Sequence, residues 1–283
     1  MSADWQPSCS LSALRARAQL LADLRAFFLQ RDVLEVQTSL LAARTVTDLN
    51  IDSMTVGTYG YLQTSPEYQL KRLLAAGAPS IYQLGSVFRA GELGRLHNPE
   101  FTLLEWYRLG WDDVDLMAEV AELVNQVLGG DDYGYHRYQE LVGDLDRSPE
   151  DLDLALVDAL DSLGSGRFFI THYPADQAAL ARLHADEPRF AARFELVVDG
   201  VELANGYYEL TNAEEQRRRF ASDIERRRQA GKVELDIDER FLSALDAGLP
   251  DCAGVALGVD RLLMLQQGAQ SLSEVMAFPA DRA

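Results

Sequence analysis

Apolar residues recur at three- and four-residue steps near the start of the chain, at Leu14, Ala18, Leu21, Leu24 and Phe28. This spacing predicts an amphipathic helix over about residues 11–30 that packs one face on a core. A serine just before the helix, Ser10 or Ser12, is expected to cap it, because the hydroxyl can accept a free backbone N–H there.

Period-two alternation and turn signals predict further elements. Asp199-Gly200 favours a two-residue hairpin. The predicted strands are residues 33–38, 81–88, 101–108, 195–198, 201–203 and 255–259, and the further predicted helices are 66–76, 116–128, 212–230 and 260–268. Residues 129–150 carry no clear pattern. We therefore expect one α+β domain over residues 1–283, with a mixed or antiparallel sheet flanked by helices.

Bulk composition narrows the class of function. The chain has 283 residues, 47% of them hydrophobic and 25% charged, which is ordinary for a globular protein. A formal net charge of −19 disfavours extended contact with nucleic acid, although a local basic patch could survive within it. No apolar run is long enough to span a membrane, so a cytoplasmic protein is expected. With only Cys9 and Cys252 present, both are expected as thiols, and a metal would be held by oxygen.

A first candidate site segment runs from Val87 through Arg89 to Glu92 and on to residues 97–101. A strand that delivers Arg89 into a glycine-containing loop can direct a guanidinium at a phosphate while the loop covers a base. The alternative is a surface hairpin with solvated charges.

A second segment holds Glu202 and Glu209, which are seven positions apart and would face opposite sides of a regular strand. A one-residue bulge near Asn205-Gly206 would bring them to the same side. Two convergent carboxylates would then suit Mg²⁺ with ATP phosphates. The alternative is two exposed glutamates around an ordinary turn.

The third segment, residues 253–262, places small residues on a strand directly before Arg261 at a helix start. Small residues allow a flat ligand to approach closely, and a helix N-terminus favours anions. A tightly packed core strand would explain the pattern as well.

Taken together, the three segments resemble motif 2, the glutamate-bearing strand and motif 3 of class II aminoacyl-tRNA synthetases of the lysyl type. The resemblance is stronger to the stand-alone paralogues of lysyl-tRNA synthetase that modify elongation factor P. It extends over nearly the whole chain and is weakest over residues 129–166. The stretches that carry it are residues 5–8, 65–68, 97–108, 202–206 and 250–261.

The resemblance implies an ATP-dependent ligase that activates (R)-β-lysine or lysine as an adenylate and transfers it to a lysine of elongation factor P. It implies that Arg89 holds the α-phosphate and Arg261 the terminal phosphates, the two catalytic contacts. The implied substrate contacts are Ser65, Pro66, Glu67, Glu105, Tyr107, Glu209 and Ala256. The implied ATP contacts are Arg89, Ala90, Gly91, Asn98, Glu202, Leu203, Gly258 and Arg261. Glu202 and Glu209 are the implied Mg²⁺ ligands, and a homodimer is implied as well.

The chain also departs from the family pattern. Ala90 and Gly91 precede Glu92 where the family carries Asn and Glu directly after the arginine, and Ser39 replaces a motif 1 proline. Ala256 stands where lysyl-tRNA synthetases commonly carry glycine, so its methyl is expected to narrow the pocket and favour β-lysine.

Three further expectations concern partners. No β-barrel that reads anticodons precedes the catalytic motifs, which favours a protein acceptor over tRNA. An acceptor other than elongation factor P, or a non-catalytic paralogue, remains an alternative. His97 is expected to support the motif 2 loop, whereas His136, His172 and His184 are expected to be packing or surface residues. The arginines of the predicted 212–230 helix are the best basic patch for an acidic partner, with a solvated charged face as the alternative.

Overall fold

The computed structural model describes residues 5–283, so residues 1–4 lie outside the described part. The described chain separates into two compact units. The first contains the residues up to Trp106 together with Thr211–Pro250 and Gly258–Ala283, and the second contains Tyr107–Leu210 and Asp251–Leu257. The expected single domain over residues 1–283 stays a prediction.

Helices and strands alternate irregularly along the chain. The α-helices in residues 5–283 are α1 (Leu11–Leu29), α2 (Glu67–Ala75), α3 (Asp113–Leu128), α4 (Tyr138–Val142), α5 (Pro149–Leu163), α6 (Ala213–Gln229), α7 (Glu239–Gly248) and α8 (Val259–Gln266). The strands are β1 (Leu34–Glu35), β2 (Leu41–Ala42), β3 (Thr55–Val56), β4 (Gly60–Leu62), β5 (Ile81–Phe88), β6 (Glu100–Leu109), β7 (Gly134–Arg137), β8 (Arg167–Pro174), β9 (Phe190–Val198), β10 (Val201–Tyr208) and β11 (Cys252–Gly258).

In the first unit, β1 runs parallel to β5, with Leu34 opposite Ile81. The short strands β2, β4 and β3 form an antiparallel three-stranded sheet in that order. Helix α2 packs on α7, where the rings of Tyr68 and Phe241 stack with centroids 4.5 Å apart. The core of this unit therefore lies between its helices and its few strands.

The second unit is dominated by sheet in the order β11, β10, β9, β8, β7. Its pairings are antiparallel except β7 with β8. The hairpin between β9 and β10 turns at Asp199 and Gly200, whose φ angles are 50° and 75°, as a tight hairpin turn requires. The α+β class with a mixed sheet and flanking helices is confirmed.

Local sequence signals predicted several elements closely. Ser10 accepts the N–H of Ala13 at 3.1 Å and caps α1. The buried face of α1 differs from the prediction, because Leu20 and Phe27 are buried while Ala18 is exposed. The buried stripe of α1 is rotated by about one position, although Leu24 and Phe28 are buried as expected.

Among residues 5–283, no helix combines the length and apolar character needed to cross a membrane.

Candidate active site

Arg89 follows β5 at the entrance of the motif 2 loop. Its N–H donates to the carbonyl of Pro99 at 2.9 Å, which closes the loop at its base. The guanidinium carbon lies 5.1 Å from the centroid of the Phe101 ring, and Nη1 lies 3.8 Å from the Glu92 carboxylate. The side chain is about one quarter exposed, so the guanidinium is oriented by its neighbours and still reachable by a ligand.

The next two residues of the loop have backbone roles. The N–H of Ala90 donates to the carbonyl of Asp52 at 2.7 Å. Gly91 has a φ of 79°, a left-handed conformation that glycine adopts at little cost. Replacement of the family's Asn and Glu by Ala90 and Gly91 therefore leaves a sharp turn directly after Arg89.

Arg261 lies in the first turn of α8 and contacts the same loop. Its Nε donates to the carbonyl of Leu96 at 3.2 Å, and Nη2 lies 2.9 Å from Nε2 of His97. Burial lowers the pKa of His97, and the Arg261 charge lowers it further. A neutral imidazole can accept from Arg261, so His97 supports the loop as expected. Gly258 caps the start of α8, and a Cβ there would only touch the Arg261 side chain.

Asn98 is buried and has a structural role. Its side-chain Nδ2 donates to the carbonyl of Glu100 at 2.5 Å, and its Oδ1 accepts the N–H of Ala280 at 2.9 Å. Each end of the carboxamide already has a partner within the protein. These contacts brace the loop against the C-terminal segment, and the expected nucleotide contact of Asn98 stays a prediction.

A buried carboxylate lies at the centre of β6. Glu105 is 1% exposed, and its Oε2 accepts the hydroxyl of Ser65 at 2.7 Å. The Ser65 oxygen also accepts the N–H of Glu67 at 3.0 Å, at the start of α2 after its N-cap residue Pro66. The turn before α2 therefore orients the Glu105 carboxylate, which could pair with a cation.

Glu67 carries a contact that sequence reasoning missed. Its Oε1 lies 2.7 Å from Nζ of Lys71, whose side chain is fully buried. The pair is one helical turn apart, the spacing at which oppositely charged side chains meet. Lys71 therefore orients the Glu67 carboxylate, and contact between Glu67 and the substrate amino group stays a prediction.

In the second unit, Tyr107 and Glu209 approach one glycine. A Cβ on Gly254 would collide with both the Tyr107 ring and the Glu209 carboxylate. Glu209 is fully buried and Tyr107 is 2% exposed. Glycine at position 254 therefore creates the space in which a phenol and a carboxylate converge.

The expected bulge in β10 is present at a different position. Glu202 pairs with Val197 and Ala204 pairs with Leu196, so Leu203 is the extra residue and the irregularity precedes Asn205-Gly206. Leu203 itself is buried, and its expected contact with ATP stays a prediction. With one residue inserted, Glu202 and Glu209 do fall on the same face of the strand, as predicted.

The metal ion expected at Glu202 and Glu209 stays a prediction. Six steps at about 3.3 Å each would place the two backbones about 20 Å apart along a regular, fully extended strand, and the bulge makes this figure an upper limit. In addition, Glu202 is exposed while Glu209 is fully buried. The shared face agrees with the expectation from the sequence, and the strand pairing alone does not determine the metal contact.

The carboxylate near Glu202 is Glu195. Cross-strand pairing of Glu202 with Val197 and of Asn205 with Glu195 puts Glu195 and Glu202 on one face of the hairpin. Burial raises the pKa of Glu195, the Glu202 charge raises it further, and Arg193 opposes the rise. Two crowded carboxylates of this kind are suited to Mg²⁺, which uses one or two carboxylates and completes its shell with phosphates and water. Within residues 5–283, no group of three or more His, Cys, Asp or Glu side chains forms a metal site.

Arg193 was also missed from the sequence. Its Nη2 lies 2.5 Å from Glu195, and its Nη1 donates to the carbonyl of Gln177 at 2.8 Å. The guanidinium carbon is 4.2 Å from the Tyr173 ring centroid. The positive charge of Arg193 therefore partly neutralises the carboxylates of Glu195 and Glu202. Ala256 lies opposite Asn205 across the β10–β11 ladder, on the face that carries these groups.

The arginines of α6 do not form a free basic patch. Each has an acidic neighbour: Arg217 pairs with Glu239, Arg218 with Glu214 and Glu215, Arg219 with Glu215, Arg226 with Asp223, Arg227 with Asp52 and Arg228 with Glu225. Arg227 is buried and also donates to the carbonyl of Asp48 at 2.6 Å. The structure thus supports the alternative of a charge-balanced face.

The remaining histidines take packing positions, as expected. His172 stacks on His184 with ring centroids 4.3 Å apart, and His136 tilts against Phe168. Cys9 and Cys252 are both buried thiols.

With this geometry established, comparison with known proteins gives the class. Residues 3–282 match the family described as tRNA synthetases class II (D, K and N), and the chain belongs to that family. The expected fold and the ligase class of enzyme are confirmed.

The curated relatives are more specific. The chain is 44% identical to the elongation factor P--(R)-beta-lysine ligase of Proteus mirabilis, with 99% of each chain covered. It is 43% identical to the protein of that name from Hamiltonella defensa, and 44% identical to the one from Salmonella gallinarum; each alignment covers 100% of this chain and 99% of the relative. The Proteus alignment runs over 321 positions, so that relative contains residues with no counterpart here.

Proposed function

We propose that the protein activates (R)-β-lysine, or lysine, with ATP and transfers it to a lysine side chain of elongation factor P. Membership of the class II synthetase family implies ATP as a substrate. The observation that carries the choice of amino acid is the buried Glu105 carboxylate, fixed by Ser65 at 2.7 Å. A buried carboxylate that hydrogen bonds hold in place is suited to a positively charged ligand, and the ammonium of a lysine-like substrate is such a ligand. The names of the relatives supply β-lysine and elongation factor P.

Arg89 and Arg261 are proposed to bind the phosphates. The substrate carboxylate attacks the α-phosphorus of ATP, diphosphate leaves, and an aminoacyl-adenylate remains. The two guanidiniums offset the negative charge that develops on the phosphoryl oxygens, which is the main catalytic contribution expected of such a site. His97 supports Arg261 through the contact between Nε2 and Nη2.

The second step uses an amine of the acceptor. A neutral lysine amine attacks the carbonyl carbon of the mixed anhydride, AMP leaves with the bonding electron pair, and the amine loses a proton as the amide forms. No side-chain nucleophile of the enzyme is required for either step.

Mg²⁺ is proposed as the metal, held by Glu195 and Glu202. When bound, it would supply positive charge beside the ATP phosphates. Glu209 and Tyr107 keep their expected contacts with the amino-acid substrate, a role supported by their convergence on Gly254. Ala256 is proposed to favour β-lysine through its methyl group. Cytoplasmic location and a homodimer remain part of the proposal.

The acceptor is tested by incubating the protein with ATP, Mg²⁺, β-lysine and either elongation factor P or bulk tRNA. We expect an intact-mass increase of one β-lysyl group on the factor and no acid-precipitable label on tRNA. Labelled tRNA beside an unshifted factor would refute the acceptor. ATP–diphosphate exchange without any acceptor separates an active enzyme from a non-catalytic paralogue, and its absence would refute the activity itself.

A further inference from the structure

Residues 180–184, here called the strap, extend the sheet of the second unit beyond the end of β10. Ala181 pairs with Glu209, and Leu183 pairs with Ala191, as isolated antiparallel bridges. The backbone hydrogen bonds of the strap, each from donor to acceptor, are Leu210 to Leu180 (2.9 Å), Arg182 to Tyr208 (2.8 Å), Ala192 to Arg182 (2.9 Å) and His184 to Phe190 (2.9 Å). Backbone hydrogen bonds therefore connect the strap both to the start of β9 and to the end of β10.

The side chain of Arg182 makes three contacts around Glu209. Its Nε donates to the carbonyl of Glu209 at 2.9 Å, and Nη2 lies 2.7 Å from the Asp251 carboxylate. The guanidinium carbon also lies 3.7 Å from the centroid of the Tyr208 ring. A planar guanidinium can make these contacts at once, whereas a lysine ammonium cannot reproduce their geometry.

These contacts determine the backbone position of Glu209. The strand β10 ends at Tyr208, yet the Glu209 N–H donates to the carbonyl of Cys252 at 3.0 Å and the Glu209 carbonyl accepts from Arg182. Both backbone polar groups of Glu209 are thus fixed, one by the sheet and one by the strap. The Glu209 carboxylate in turn lies against Gly254. Because glycine has no side chain, nothing at that position can move to accommodate a displaced carboxylate.

We propose that Arg182 is a positioning residue for the amino-acid substrate, acting through the backbone of Glu209. The inference rests on the proposed function, in which the Glu209 carboxylate contacts that substrate. Binding of an ammonium by a buried carboxylate depends steeply on their separation, and displacements near 1 Å are costly. Loss of Arg182 therefore weakens recognition of the amino acid and leaves the binding of ATP unchanged.

The test is ATP–diphosphate exchange with the full chain, with the KM for β-lysine and for ATP measured separately. Arg182→Met removes the guanidinium but keeps the bulk of the side chain. Arg137→Met is the matched control, because Arg137 in the same unit also pairs with a glutamate, Glu187 at 2.9 Å, and lies 5.1 Å from a ring, that of Phe190. Arg182→Lys is the conservative variant, and thermal melting of each variant reports its folding.

We expect Arg182→Met to raise the KM for β-lysine about tenfold with a KM for ATP within twofold of wild type. Arg182→Lys should recover part of that loss, and Arg137→Met should leave both KM values unchanged. An unchanged KM for β-lysine in Arg182→Met, or an equal rise in both KM values, overturns the inference. Wild-type protein without exchange activity would overturn the proposed function, and this inference with it.

Discussion

Nε2 of His97 lies 2.9 Å from Nη2 of Arg261, so the motif 2 loop contacts the motif 3 arginine directly. This contact requires a neutral imidazole, because a protonated His97 would repel the guanidinium. Burial, followed by the charge of Arg261, lowers the pKa of His97 and thereby favours the neutral ring.

The first prediction follows from this pairing. Arg261→Ala and Arg89→Ala should each reduce adenylate formation at least about a hundredfold, since each removes a charge-assisted contact of roughly 3 kcal/mol. His97→Ala should have a smaller effect, about tenfold. ATP–diphosphate exchange measures all three, with Arg218→Ala on the surface of α6 as the control. Near-normal exchange in either of the first two variants would contradict the phosphate roles.

The second prediction concerns the buried carboxylate of Glu105. Glu105→Gln should weaken selection of an amino acid with a distal ammonium, because a neutral amide replaces the charge that pairs with it. We expect the KM for β-lysine to rise about thirtyfold or more, and Ser65→Ala to give a smaller rise. Glu100→Gln, at the exposed start of the same strand, is the control. An unaltered preference for β-lysine over uncharged analogues in Glu105→Gln would exclude this role.

A third prediction separates Glu202 from Glu209. Glu202→Gln and Glu195→Gln should each raise the Mg²⁺ concentration needed for half-maximal exchange by about tenfold, because each removes one of two carboxylates near the metal. Glu209→Gln should raise the KM for the amino acid and leave the Mg²⁺ requirement as in wild type. Titration of exchange activity with Mg²⁺ checks both. An Mg²⁺ requirement shifted by Glu209→Gln alone would restore the original metal assignment.

The fourth prediction addresses the choice between α- and β-amino acids. Ala256→Gly removes one methyl group from the face that carries Asn205. We expect wild-type protein to prefer β-lysine over α-lysine in kcat/KM, and the variant to gain α-lysine activity. One methyl group in a pocket is worth about 1–3 kcal/mol of discrimination. ATP–diphosphate exchange with each of the two substrates tests this prediction. A wild-type preference for α-lysine would contradict the proposed role of Ala256.

The fifth prediction is a pH effect on stability. Burial, followed by the charges of His184 and Arg137, lowers the pKa of His172 from 6.5 to about 4. Between those two values the unfolded chain takes up a proton that the folded protein does not, so stability falls as pH drops from about 6.5 to about 4. Because the ring is partly solvated and screened, we expect about 1 kcal/mol.

Thermal melting across this pH range measures the effect. His172→Asn should flatten the decline, since asparagine does not titrate and tolerates the positive φ of 56° at this position. His136→Asn on the neighbouring strand β7 serves as the control. An undiminished decline in His172→Asn would show that other groups cause it.

Elements with strong local signals were predicted well from sequence. Helix α6 starts after its cap Asn212 and ends before Gly231, whose φ is 68°. Both signals are carried by single residues and do not depend on tertiary packing. By contrast, strands β2, β3 and β4 are only two or three residues long, and that length is too short for any periodic pattern to reveal.

The proposed metal ligands Glu195 and Glu202 show a different limit. The Asp199-Gly200 turn was recognised, and its two-residue hairpin already pairs Val198 with Val201 and Val197 with Glu202. Extending that ladder by two residues puts Glu195 on the face of Glu202, so the missed residue was within reach of the sequence. The position of the bulge in β10 could not be predicted from the sequence. It depends on how β9 and β10 pack, and the spacing of residues does not determine that packing.

Helix α6 carries one more consequence. Each of its arginines forms an ion pair with an acidic neighbour such as Glu214, Glu225 or Glu239. The positive charge of the helix is therefore neutralised locally. A related protein that lost those glutamates, without gaining any lysine or arginine, would expose the arginines of α6 as a positively charged surface. Such a surface can release counterions from a nucleic-acid backbone. Evolution between protein and RNA acceptors could therefore proceed by deletion of negative charge.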